Sequence, residues 1–379
     1  MKRFVVIKNI PSPYRLHIFN EMWRQLKMRG IEFHVHFMSR GHVERPKSWM
    51  NPKIDFPHTY WRDYGFKTHH FNIGMILHLM INRPDYLWVG SPFDTFTGIC
   101  AAFFLKAKSK CTWVEGQTKT PGRMIGFIGI FKRLVLSRFP LVAVPGHDAV
   151  KYFQMHQKLT SHKMPRIVFM PNLIDETRFK PRDQWPEEEI ASIRKSLGCD
   201  NLTRICLISA RLDEVKGLVP FINQLTPVMV DGWKIVIMGQ GALKNMILRA
   251  AAERGIADSI QILDYVVYDE MPKYYAAADL FLLSSIHDPN PLSVPEALHS
   301  GLPIALSDRC GNVEEGVKDG SNGRVLHVLD EKKFGAELKE ILNMPIVDLQ
   351  KMGRVSKLEN AEFWSTVTAI RKFLDDVIA

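Results

Sequence analysis

Arg211 and Lys216 stand five residues apart at the end of an apolar run, with Gly217 directly after them. A guanidinium fork and an ammonium point charge at the start of a helix are suited to a diphosphate. A second pair is acidic. Asp288 and Glu296 lie eight residues apart in the stretch 279–303, which reads as an apolar run, a proline-broken polar loop and a short helix. An ionised carboxylate only accepts hydrogen bonds, which is what the vicinal hydroxyls of a sugar require. Between the two pairs, Gly239-Gln240-Gly241 closes another apolar run and puts residues without a Cβ where backbone amides could approach a ligand. Each signal also has a bland reading. Arg211 and Lys216 would be exposed and paired with Asp213 or Glu214, the glycines would make a plain turn, and the acids would be solvated, with Glu296 only complementing a helix dipole. Four such signals at successive strand ends suggest instead a nucleoside diphosphate held by the second half of the chain.

Positioning these groups takes strands that stop in polar loops. In the second half, apolar runs at 205–209, 234–238, 260–263, 280–283, 303–306 and 324–328 read as strands, with helical patterns between them and a helix over 269–277. In the first half the same alternation gives strands at 4–7, 31–38, 85–89, 111–114, 141–144 and 167–170, and a helix from about 12 to 28. The fold class that follows is α/β, with doubly wound parallel sheets. Residues 39–68 are polar, proline-rich and irregular, and 172–189 read as an inter-domain connection. The turn after the first strand lacks a glycine-rich phosphate fingerprint, so it does not support dinucleotide binding.

The chain has 379 residues, 46% of them hydrophobic and 24% charged, enough for two ordinary globular domains. Its net charge of +10 is uneven: residues 1–180 hold 28 Lys and Arg against 11 Asp and Glu, while 181–379 hold 22 against 29. The basic half is therefore expected to face something anionic, with nucleic acid, a membrane surface or a phosphorylated acceptor as candidates. Two segments there, 71–80 and 121–138, mix apolar residues with His78 or with Arg123, Lys132, Arg133 and Arg138. That pattern fits a membrane interface as well as a packed helix with basic ends. No apolar run approaches the ~20 residues of a membrane helix. The first residues lack the apolar core of a leader, and the five cysteines show no metal-ligand spacing, so reduced thiols in the cytoplasm are expected. No recognisable module supports nucleic-acid binding.

The motifs now in hand resemble those of the GT-B glycosyltransferases of family 4. Ser209-Ala-Arg211-Leu-Asp-Glu-Val-Lys216-Gly217 is similar to that family's phosphate-binding motif, and Ile237-Met-Gly239-Gln-Gly241 to its Gly-x-Gly turn. Tyr274-Tyr-Ala-Ala-Ala-Asp279 resembles the helix before its signature strand, and Asp288 to Glu296, continued by Ala297-Leu-His-Ser-Gly301-Leu-Pro303, resembles its Glu-x7-Glu signature. Gly311-Asn-Val-Glu314-Glu and Asp319-Gly320-Ser-Asn-Gly323 resemble the turns that follow. Pro13-Tyr14-Arg15 and Pro171-Asn172…Asp175…Phe179 are weaker matches in the first half.

The resemblance implies two Rossmann-like domains facing across a cleft: an acceptor-side domain 1–180, a nucleotide-sugar domain 181–358, and a C-terminal helix 359–379 crossing back to the first. It implies a retaining, metal-independent hexosyltransferase that uses a UDP- or GDP-sugar as co-substrate and no other cofactor. The acceptor would be a glycan or polyprenyl-type lipid-linked glycan of surface polysaccharide or glycolipid synthesis, reached from the cytoplasm or peripherally at the inner face of the membrane. Arg211 and Lys216 would hold the diphosphate, Glu296 the ribose and Asp288 the sugar hydroxyls. Gly239, Gly241, Asn290, Pro291, Leu292 and Ser293 complete the donor side, and Tyr14 and Arg15 mark the acceptor side. Glu115 and His147 are the first-domain candidates beside the donor sugar. The chain departs from the family twice, with Asp288 where Glu is usual and Ile10-Pro-Ser-Pro-Tyr14 in place of a glycine-rich loop. A sugar-nucleotide epimerase or a glycan phosphorylase on the same plan is the alternative.

Overall fold

Strands covered on both faces cannot alternate apolar with polar residues, and the central strands here do not. Every position of Tyr86–Val89, Leu141–Val144, Leu280–Leu283 and Ile304–Ser307 is buried. In a computed structural model describing residues 1–41, 53–65, 69–118, 126–160 and 165–379, such strands build two all-parallel sheets. The chain divides into two compact units, residues 1–174 with 366–379, and residues 175–365.

Unit 1 contains β1 (Arg3–Lys8), β2 (Glu32–Phe37), β3 (His58–Tyr60), β4 (Tyr86–Val89), β5 (Ser109–Trp113), β6 (Leu141–Val144) and β7 (Arg166–Phe169), in the order β3-β2-β1-β4-β5-β6-β7. Its helices are α1 (Pro13–Met28), α2 (Ile73–Ile81), α3 (Phe96–Phe104), α4 (Gly126–Leu136) and α5 (His147–Thr160). Unit 2 contains β8 (Arg204–Ser209), β9 (Trp233–Met238), β10 (Ile260–Leu263), β11 (Leu280–Leu283), β12 (Ile304–Ser307) and β13 (Gly323–Leu326), in the order β10-β9-β8-β11-β12-β13. The expected doubly wound build is present in both units. In each, the chain builds outward from one central strand, then returns beside it and builds the other way. The reversal falls between β1 and β4 in unit 1, and between β8 and β11 in unit 2. Crossovers leave such a pair of strands towards opposite faces, which opens a crevice at their carboxyl ends.

Two details differ from the sequence reading. Residues 39–68 were expected to be irregular, but His58–Tyr60 adds an edge strand to β2, in register with Val35–Phe37. A three-residue strand inside a proline-rich stretch has no period to read. The helix expected over 359–379 begins at Thr366. Trp364 is fully buried within unit 2, whereas Ile370, Phe373 and Leu374 are buried within unit 1, where Phe373 lies 5.2 Å from the Trp88 ring. Thr366 secures the helix start, its hydroxyl donating to the Ile174 carbonyl at 3.1 Å. Further along, Arg29 pairs with Asp375 at 2.8 Å and Arg166 pairs with Asp376.

Of the two segments read as either interfacial or packed, α2 buries Met75, Ile76 and Leu79 and exposes Ile73, Leu77, Met80 and Ile81. α4 buries Val135 and Leu136 and turns Phe127, Ile128, Ile130, Phe131 and Leu134 outward, Phe127 being 91% exposed. Residues 119–125, with Arg123, lie outside the described set. α3 packs against both helices and adds exposed Phe96 and Phe104. Among the described residues no helix is long and apolar enough to cross a membrane.

At the amino end of the unit 2 reversal, Asp279 holds β11 to β8. Its carboxylate accepts the Ile205 N–H at 2.8 Å, Arg182 at 3.1 Å and Arg194 at 3.3 Å, and its own N–H donates to the Ile205 carbonyl at 2.8 Å. Replacing it takes the carboxylate from two guanidinium groups, which keep only backbone carbonyl acceptors, and leaves the strand N–H without its acceptor. We expect Asp279→Ala to destabilise unit 2 by about 3 kcal/mol, read as a lowered midpoint in urea unfolding.

Candidate functional site

Four loops leave the carboxyl edge of the unit 2 sheet around the reversal, and glycine is required where they touch. A Cβ at Gly239 would lie 1.8 Å from the Ala210 carbonyl oxygen, and one at Gly241 2.3 Å from that of Leu212, so both glycines let the β9 loop rest on the β8 loop. Leu212 N–H donates to the Gln240 carbonyl across this contact at 2.9 Å, and the Gly239 N–H is engaged by Leu263 at 3.0 Å. The space these glycines leave is thus filled by backbone. Gly217 is constrained twice, by a left-handed φ of +63° and by the Ser284 carbonyl oxygen 2.4 Å from where its Cβ would be. Ser284 donates its hydroxyl to the Lys216 carbonyl at 3.1 Å, and the Ile286 N–H donates to Val215 at 2.9 Å, joining the β11 loop to the β8 loop. On the other side, Gly311 closes on Pro289 and donates its N–H to the Asp288 carbonyl at 2.9 Å.

This packing carries Lys216 to Asp288, and the two side chains form an ion pair directly at the reversal. Both are largely buried, at 14% and 11% side-chain exposure, so the attraction is weakly screened. Burial, with the Asp288 charge next in weight, holds the Cys310 thiol far above its ordinary value. Arg211 does otherwise: its guanidinium is exposed and pairs with Asp213 at 3.0 Å, as the bland reading anticipated for it. Asn290, Pro291 and Ser293 are buried around the loop with Leu292 half-buried, and the Asn312 side chain donates to the Pro291 carbonyl at 3.0 Å.

Glu296 is not solvated. It lies in the first turn of the helix Ser293–His299, only 2% exposed, and accepts the Tyr275 hydroxyl at 2.6 Å. Tyr275 is itself fully buried, 5.9 Å from the Phe281 ring and 5.4 Å from that of Phe179. A buried tyrosine needs a partner for its hydroxyl, which is the signal that could have marked it beforehand.

In unit 1 the expected residues fall into one network and one separate group. Arg15, in the first turn of α1, lays its guanidinium 4.4 Å over the Trp113 ring and donates to Asn172 Oδ1 at 3.2 Å. Asn172 passes the contact on, its amide donating to Glu115 Oε1 at 3.0 Å. Arg15, expected on the acceptor side, and the candidate Glu115 are therefore joined through a residue that the sequence analysis assigned no role. Tyr14 stands beside Arg15, half-buried. His147 opens α5 at the end of β6, exposed, with its ring 5.1 Å from Phe169. Among the described residues no group of three or more His, Cys, Asp or Glu is placed to hold a metal ion.

Comparison with known proteins bears on this geometry. Residues 189–357, most of unit 2, match the family described as glycosyl transferases group 1. An uncharacterized glycosyltransferase of Methanocaldococcus jannaschii is 26% identical over 159 residues, 42% of this chain and 40% of its own length. The alpha-galactosylglucosyldiacylglycerol synthase of Streptococcus pneumoniae is 26% identical over 51% of this chain and 56% of its own length. The chain thus spans about half the length of these curated relatives. Among solved structures, HepE of Anabaena in complex with UDP and glucose superposes with a TM-score of 0.74 at 13% identity, covering 100% of both chains.

The Lys216–Asp288 pair can be weighed directly. Either single replacement, Lys216→Met or Asp288→Leu, strands the other charge in a largely buried loop, while the double replacement strands none. A double-mutant cycle in urea is expected to return a coupling of about 1–3 kcal/mol, and the double variant should be more stable than the sum of the singles implies.

Proposed function

We propose that the protein is a retaining glycosyltransferase, because residues 189–357 match the glycosyl transferases group 1 family and both units have the Rossmann-like build of the GT-B fold. It moves a hexose from a UDP- or GDP-sugar to a glycan or lipid-linked acceptor. The observation that carries this reading is the Lys216–Asp288 pair at the reversal of the unit 2 sheet, with Glu296 buried on the following helix. As the bond between sugar and diphosphate breaks, negative charge grows on the departing phosphate, and Lys216 offers positive charge against it, while the exposed Arg211 would have to leave Asp213 to join it. Without donor, Asp288 neutralises the Lys216 ammonium. When the diphosphate engages that ammonium, the carboxylate is free to accept hydroxyls of the sugar. The side chain of Asp288 is one methylene shorter than the family's usual Glu, which sets those hydroxyls closer to the loop. Glu296, oriented by Tyr275, accepts from the ribose hydroxyls. Retention needs no enzymic nucleophile: the acceptor oxygen bonds to the anomeric carbon on the face the phosphate leaves, and the acceptor's proton passes to that phosphate. The cationic side chains serve where other enzymes use a metal, so transfer is metal-independent.

A lipid acceptor and a membrane surface fit unit 1. The five outward apolar residues of α4 sit beside Lys132, Arg133 and Arg138, and α2 and α3 continue the apolar face. Apolar side chains in the acyl boundary with cations at head-group level describe interfacial binding to an anionic leaflet. The named lipid product of the Streptococcus pneumoniae relative supports the same direction.

A thermal-shift panel of UDP-, GDP- and ADP-sugars tests the donor site. One class is expected to raise the midpoint, by about 2.7 kcal/mol of stabilisation at a hundredfold excess over Kd. Lys216→Ala and Glu296→Ala should lose the shift while keeping a native circular dichroism spectrum. The product should keep the donor's anomeric configuration by NMR and form equally well in EDTA. An isomerised donor or a phosphorolysed glycan in place of a new glycosidic bond would overturn the assignment. For the membrane, flotation with phosphatidylglycerol vesicles should exceed that with phosphatidylcholine, fall with added salt, and drop in Phe127→Ser/Phe131→Ser. Flotation indifferent to lipid charge and salt would exclude the anionic surface.

A further inference from the structure

Unit 1 has a reversal of its own, between β1 and β4, where Lys8 and Arg15 meet the exposed acids Asp94 and Glu115. Lys8 is the last residue of β1, and its side chain crosses the end of β4. A Cβ on Gly90 would lie 3.0 Å from Lys8 Cδ and 3.6 Å from Nζ, so the glycine makes room for the lysine. The next residue, Ser91, has φ +54°, the only left-handed non-glycine among the described residues. That conformation costs about 1 kcal/mol or more and persists only where its surroundings impose it. Here Thr95 donates its hydroxyl to the Ser91 carbonyl at 3.2 Å, and Gly98 packs so closely beneath that a Cβ would be 2.3 Å from the same oxygen.

Arg15 enters from α1. Its Nη2 has Asn172, but Nη1 is buried without a hydrogen-bond partner. α1 has no acid in its first turn, and its N-cap, Ser12, makes no side-chain capping bond. Among the described residues no hydrogen bond to the Lys8 ammonium is found. The charges that act on Lys8 are Arg15 from α1, Glu115 from the β5 loop and exposed Asp94 from the β4 loop. Burial first, and then the neighbouring Arg15, bring Lys8 down to about 7, and burial lowers Arg15 as well. The two acids act on Lys8 from a distance, without a hydrogen bond, and the Arg15 Nη1 donor is buried without an acceptor, a cost that an anion bound between the two side chains would relieve.

We propose that this crevice of unit 1 binds a phosphate or diphosphate group carried by the acceptor. Only the word acceptor rests on the glycosyl-transfer reading; the anion site stands on Lys8, Arg15 and the strained turn at Ser91. The anion raises the Lys8 ammonium back towards its ordinary value, so binding takes up protons near neutrality and weakens as pH rises through about 7. Sulfate, whose charge does not change in that range, isolates this effect.

An amine partly unprotonated at neutral pH acylates quickly, which gives a readout independent of sugar transfer. The full chain is treated with limiting acylating reagent, and labelling of Lys8 is read by peptide mass spectrometry against exposed Lys195. At ten times Kd, pyrophosphate is expected to slow Lys8 labelling roughly tenfold and leave Lys195 unchanged. Lys216→Ala should retain that protection. Arg15→Gln should weaken it and move the pH midpoint of Lys8 labelling upward, because a like charge is gone. A sugar monophosphate and a short isoprenyl diphosphate are run beside pyrophosphate to separate a soluble phosphorylated sugar from a lipid-linked source. Unslowed labelling with every anion, or protection lost in Lys216→Ala, overturns the site. Protection without glycosyl product from any donor sinks the transfer reading and leaves the anion site in place.

Discussion

Backbone-to-backbone contact between the loops at the carboxyl edge of unit 2 is the constraint from which the rest of that unit follows. The carbonyls of Ala210, Leu212, Ser284 and Pro289 occupy the places where Gly239, Gly241, Gly217 and Gly311 would carry side chains. Four loops interleaved in this way behave as one layer, with little freedom to drift apart. Lys216 and Asp288, far apart in sequence, are held together as a result, and the ion pair needs no long flexible reach. Because the glycines are taken up in joining loops, the space beside them is filled by backbone, and in the donor site proposed above recognition falls to the side chains of Lys216, Asp288 and Glu296.

The two units treat buried charge differently. In unit 2 the buried acids are answered: Asp279 by two arginines and a strand N–H, Asp288 by Lys216, Glu296 by Tyr275. In unit 1 the half-buried cations are answered in part, Arg15 through one of its nitrogens and Lys8 by charges at a distance. A fold tolerates an unanswered charge at a cost of order 1–3 kcal/mol, and such costs gather where a ligand is expected. The uneven charge of the two halves, visible in the sequence, is thus expressed in the interior as well as on the surface.

Much of the scaffold was legible. Strands 141–144, 260–263 and 280–283 coincide with the structure to the residue because each is a short run, fully apolar but for Gln261, that stops in a turn. Periodicity failed at His58–Tyr60, too short to show a period, and at Phe363 and Trp364, whose spacing continues the pattern of the last helix although Trp364 is buried in the other unit. The acids at 288 and 296 were visible, but the direction of each side chain was not. Neither the partnership of Tyr275 with Glu296 nor the Arg15–Asn172–Glu115 relay can be read from spacing, since 57 residues separate Asn172 from Glu115 and 157 separate it from Arg15. Arg211 shows the opposite case, a motif residue whose side chain rests on the solvent side.

The last helix belongs to the first unit, and this sets the order in which the protein can be completed. Unit 2 is one continuous segment inserted between Ile174 and Thr366. A ribosome therefore finishes unit 2 while unit 1 still lacks the helix that supplies Ile370, Phe373 and Leu374 to its interior. The N-terminal half, synthesised first, is the last to close its hydrophobic core, and during elongation it waits with Trp88 uncovered on the side where Phe373 will dock.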